Sequence, residues 1–134
     1  MATIIAPSLQ DIVYSGECPA AHAHGKITLA AAQIADNVRL LKVYAGTKIY
    51  SSSIINAALG ANTTLSLGYE FVNGEAAAAP AGLIAASATN TAGKINSAIA
   101  PITLPYDAYI TATIGGAAAT GQLDVTLSYE FRGK

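Results

Sequence analysis

The 134-residue chain is 52% hydrophobic but only 11% charged, and its formal net charge is -1. A soluble protein averages about 25% charged residues, so Ala, Ser, Thr, Gly and Asn must cover most of this surface, as on a face that a partner later covers. The seven cations (Lys26, Arg39, Lys42, Lys48, Lys94, Arg132 and Lys134) are scattered singly, which leaves no basic stripe for phosphates and argues against nucleic-acid binding.

The length suits one domain with a core that needs no disulfide or metal. No run approaches the roughly 18 apolar residues of a membrane span. The start, Met1-Ala2-Thr3-Ile4-Ile5, lacks the cationic region, apolar segment and cleavage site of a signal peptide. The chain is therefore expected to be made and kept in the cytoplasm, unless it leaves inside a larger particle.

Residues 1–25 contain Pro7 and Pro19 and show little periodicity beyond a short strand near Ile12 to Tyr14. They read either as an N-terminal arm that orders on a neighbour or as an ordinary edge segment, with residues 26–134 forming the main domain. Cys18 is the only cysteine, so no intrachain disulfide forms, and a small hydrophobe is its ordinary role. His22 and His24 are two residues apart in Ala20-Ala21-His22-Ala23-His24-Gly25. On an extended segment both rings face one way, as metal ligands would, yet no Cys, Asp or Glu nearby completes a tetrahedral set. No metal or cofactor is expected.

Strands follow at Gly25 to Ala30, Val38 to Tyr44 and Lys48 to Ile55. Ala30 to Ile34 favours helix, but Asp36-Asn37 follows so soon that a turn is expected there. From Thr64 to Phe71 the alternation is strict. Leu65, Leu67, Tyr69 and Phe71 share one face, with Thr64, Ser66, Gly68 and Glu70 on the other, the period of a half-buried strand. Glu75 to Ala88 is Ala-rich, and Pro80 suits the first turn of a short helix through Ala86. Short strands are expected within Ile95 to Leu104.

Ala108 to Ile114 turns Ile110 and Ile114 inward. Through the loop from Gly115-Gly116 to Gly121 it is expected to form a hairpin with the last strand, where Leu123, Val125, Leu127, Tyr129 and Phe131 make the inward row. This strand and the one at Thr64 to Phe71 both end in Tyr-Glu-Phe. The sum is an all-β fold, a β-sandwich or jelly roll of about eight antiparallel strands with at most one short helix in a long connection.

Catalytic signatures are missing. There is no Gly-x-Ser-x-Gly elbow, no Walker loop and no dinucleotide fingerprint. Of the eight acidic residues, Glu70, Asp124 and Glu130 fall on polar strand faces, where solvation or pairing with a cation is the usual fate. Tyr44, Tyr50, Tyr106 and Tyr109 suit a subunit interface as well as a sugar site.

The run Leu59-Gly60-Ala61-Asn62-Thr63-Thr64-Leu65-Ser66-Leu67-Gly68-Tyr69-Glu70, and Tyr109 to Gly121 followed by a strand through Tyr129, resemble small tailed-bacteriophage virion proteins of the capsid decoration, or cement, type. The resemblance spans roughly residues 35–131. It implies a jelly-roll domain without catalytic residues that forms dimers or trimers on the outside of the virion head and clamps neighbouring major capsid subunits. A tail or fibre module and a carbohydrate-binding β-sandwich are the alternatives.

Overall fold

The structure, a computed structural model, describes residues 20–131. Cys18, the strand expected near Ile12 to Tyr14 and most of segment 1–25 lie outside these residues. Nine strands follow in order: β1 (Ala20–Ala32), β2 (Asn37–Val43), β3 (Thr47–Asn56), β4 (Thr64–Phe71), β5 (Ala79–Ala88), β6 (Gly93–Asn96), β7 (Ile102–Thr103), β8 (Ala108–Gly115) and β9 (Ala119–Phe131). One sheet runs β1-β9-β3-β6, with the two-residue β7 also on β3, and the other runs β2-β8-β4-β5. Every ladder is antiparallel.

The pairing is nested: β1 with β9, β2 with β8, β3 with β6, and β4 with β5. A long antiparallel ribbon rolled so that alternate pairs fall in opposite sheets gives this order, which is a jelly roll. The expected hairpin of β8 and β9 does not form. Both sides of β8 are already taken, by β2 and β4, so the chain crosses to the facing sheet through Gly116 to Ala118. Gly116 has φ +75° at that crossing, and a Cβ there would collide with the Asn62 carbonyl, so only glycine fits.

The expected short helix through Ala86 is also overturned, because Ala79 to Ala88 is β5. Alanine favours helix by well under 1 kcal/mol per residue, whereas β4 offers an unpaired edge and the core takes both Leu83 and Ile84. Burying two consecutive residues requires irregular pairing. Leu67 faces Ile84 while Tyr69 faces Ala79, and the surplus residues around Pro80 lap over Gly68 and Ser66. The Ser66 hydroxyl donates to the Pro80 carbonyl at 3.1 Å.

Leu65, Leu67, Ile110, Ile114, Leu123, Val125 and Leu127 lie buried between the sheets, with Tyr69, Phe71 and Tyr129 packed partly buried at the core's margin. Phe71 contacts both Tyr69 and Tyr106 edge-to-face, each at 5.6 Å between ring centroids. Phe131 differs from the expected inward row and is 49% exposed. It is the last residue of β9 and borders an open groove. The two Tyr-Glu-Phe strands thus lie in different sheets.

Candidate functional site

Among the described residues no group of three His, Cys, Asp or Glu side chains is placed to hold a metal. His22 and His24 do stand on one face of β1, opposite Ser128 and Thr126 of β9, but each has a different neighbour. His22 Nδ1 is 3.0 Å from the Ser128 hydroxyl, and His24 Nε2 is 3.6 Å from Asp124.

All six described carboxylates are held in structural contacts. Asp36 accepts from the Gln33 amide at 2.8 Å, Asp107 from the Ala45 amide at 2.8 Å and Glu75 from the Asn73 amide at 3.1 Å. Glu70 pairs with Arg39 at 2.5 Å, Asp124 accepts from Gln122 at 2.9 Å, and Glu130 accepts from the Tyr50 hydroxyl at 2.7 Å. Acid–base chemistry calls for titratable groups brought together in a cleft. Here each carboxylate instead fastens a turn or a strand face.

The outer face of the first sheet is a hydroxyl-rich depression of about 320 Å³. His22, Ser51, Ser53, Lys94, Asn96, Ser97, Thr126 and Ser128 line it. Many of these polar groups satisfy one another: Ser53 bonds Thr126, and the Ser97 hydroxyl accepts from the Ser52 amide at 3.1 Å. On the other outer face Arg39 sits over the Tyr109 ring at 4.5 Å while it pairs with Glu70, a compact cation–π and ion-pair cluster across β2, β8 and β4.

A different character appears where the edge strands β1 and β2 lie over one another. They touch at Gly25, where a Cβ would come within 3.2 Å of Leu40 and Leu41. Beside that contact opens an apolar groove of about 400 Å³, lined by Ala23, Leu41, Lys42, Val43, Tyr44, Thr47, Tyr129 and Phe131. It stays open because the inward side chains of β1 on this flank, Ala21 and Ala23, are too small to reach β2. Tyr44 is 60% exposed on its rim, with the Lys42 ammonium 5.7 Å from its ring.

Of the tyrosines left open by sequence, Tyr44 belongs to this groove and Tyr50 to the Glu130 contact. Tyr106 packs on Phe71, and Tyr109 lies under Arg39. Leu41 and Val43 were not singled out by sequence. Their signal would have been the small residues of β1, which pattern analysis reads only as weak strand.

Comparison with known protein families finds no match, and no curated protein matches the sequence. Solved structures do match the fold. A chain of the "Capsid of Ralstonia phage GP4" superposes with a TM-score of 0.67 at 16% identity, covering 92% of this chain and 92% of that chain. A chain of the "Cyanophage Pam1 capsid asymmetric unit" does so with a TM-score of 0.67 at 13% identity, covering 94% and 97%. A chain of the "Acidic stable capsid structure of Helicobacter pylori bacteriophage KHP30" gives 0.64 at 13% identity, covering 85% and 89%. This jelly roll is therefore similar in fold, nearly end to end, to chains found in phage capsid structures.

Proposed function

We propose that this chain is a structural protein of a phage virion that binds the outside of the head and stabilises contacts between major capsid subunits, as a decoration or cement protein. The observation that carries this reading is the likeness of nearly the whole sandwich to chains of three phage capsid structures, with between 85% and 94% of this chain covered. The structural partners of the six described carboxylates favour a scaffold over an enzyme.

In this account the chain works as a dimer or trimer, assembles onto heads in the host cytoplasm and uses no cofactor. Residues 1–25 serve as its arm or edge segment. Each contact with the capsid is weak, and many copies acting together make the binding stable. Heads assembled without this chain provide the test. Purified protein should bind them saturably and raise the temperature at which they burst. Lack of binding to intact heads at micromolar protein would refute the reading.

A further inference from the structure

We infer that the β1 edge and its adjoining groove form a docking site for an extended strand of another protein, apolar on one side and acidic on the other. The inference rests on the virion reading for the partner's identity as a capsid subunit, and on the geometry for its chemistry. β1 is thirteen residues long and, among the described residues, terminates its sheet, so its outer edge presents backbone N–H and C=O groups to any strand that approaches. A strand added there would set its inward side chains over the groove. Ala23, Leu41, Val43 and Tyr129 would contact them, with Tyr44 and Phe131 at the rim.

Charge selects the partner. β1 and β2 contain Lys26, Arg39, Lys42 and both histidines but no Asp or Glu. Arg39 is already paired with Glu70. Lys26 stands opposite Asp124 in the β1–β9 ladder and Lys42 lies beside the Tyr44 ring, but neither lysine makes an ion pair among the described residues. An added strand alternating apolar and acidic residues would bury the first set in the groove and present the second beside Lys26. A second copy of β1 fits poorly, because its lysine would meet another lysine and its Ala21, Ala23 and Gly25 would leave the groove unfilled. Lys26 thus opposes self-association at this edge while admitting an acidic strand.

The test uses the full chain and a capped peptide of alternating Glu and Val about eight residues long, the length of an ordinary strand. Hydrogen exchange should slow at β1 amides on peptide addition. A Lys–Val peptide, or the variant Lys26→Glu with Lys42→Glu, should bind about tenfold more weakly, as expected for two exposed ion pairs. Both lysines are surface residues, so the variant should keep its fold, checked by its melting temperature. Equal binding of the acidic and basic peptides, or protection away from β1, would overturn the inference. So would concentration-dependent dimerisation that protects β1, which would make a second copy the occupant. If β1 amides are already protected in the free monomer and lose protection when residues 1–19 are removed, the chain's own N-terminal segment is the occupant and the inference fails. Head binding that persists while peptide binding fails would overturn this inference alone and leave the virion reading standing.

Discussion

Gly68→Ala is the sharpest test of how β5 is laid on β4. A Cβ at Gly68 would lie 2.5 Å from the Pro80 carbonyl carbon, 2.6 Å from its oxygen, and closer still to the Ala79 carbonyl oxygen. These are backbone atoms, so no rotamer change relieves the clash. Either the 79–82 lap lifts from β4 or β4 bends. Overpacking of this kind costs about 1–3 kcal/mol, and a domain of this size loses roughly 4 °C of melting temperature per kcal/mol, so a drop of about 4–12 °C is expected. Gly93→Ala is the control, since nothing lies within 4 Å of its added Cβ. It should hold or gain about 0.5 kcal/mol through a less flexible unfolded chain. Thermal and urea melts of both variants measure the difference, and hydrogen exchange should locate the Gly68→Ala damage at residues 79–83. A Gly68→Ala protein within about 0.5 kcal/mol of the parent, the scatter of ordinary surface substitutions, would refute the packing argument.

Core truncation should be costly on either sheet: Leu67→Ala and Leu127→Ala should each lose about 2–5 kcal/mol in urea melts, because both side chains lie buried between the sheets. Asn56, which donates to the carbonyls of Ala57 at 2.8 Å and Thr91 at 2.9 Å, should cost about 1–3 kcal/mol when changed to Ala. Asn56→Asp should cost more, because it sets a carboxylate against those carbonyls. By contrast, Arg39→Ala should lose no more than about 1 kcal/mol, since its side chain is 60% exposed and its pairing with Glu70 is screened by solvent. Excess zinc should leave the melting temperature unchanged, as the two described histidines lack a third ligand; a rise of several degrees would reveal a metal site.

The alternating segments were legible from sequence because period two survives wherever one face meets the core and the other meets water. Thr64 to Phe71 matches β4 residue for residue. Reading failed where tertiary partners outweighed local pattern. The Ala-rich segment at 79–88 looked helical, but β4 supplied a ladder and the core supplied room for Leu83 and Ile84. The β8–β9 crossing looked like a hairpin because glycines mark a reversal without saying which sheet the next strand joins. Alternation sets Ser66 on the face away from the core, yet it is buried. For Ser66 the cover is a lap of chain from β5, a long-range contact that no spacing encodes.

The groove was the least legible feature. Its openness depends on what is small, at Ala21 and Ala23, and on which strand those residues happen to face. Exposed Tyr44 and Phe131 fit neither a fully buried row nor a fully polar one, and they mark its rim. Alternation along β9 sets Phe131 in the inward row, yet its ring is 49% exposed and lines the groove, while Glu130 beside it is buried.

An electron-microscopy map of the particle that carries this chain tests the central claim most directly. The account predicts density for a two-sheet jelly roll on the outer surface of the head, bridging neighbouring major capsid subunits. A map in which the fitted sandwich lies in the tail or fibre, or is absent from the particle, would contradict it.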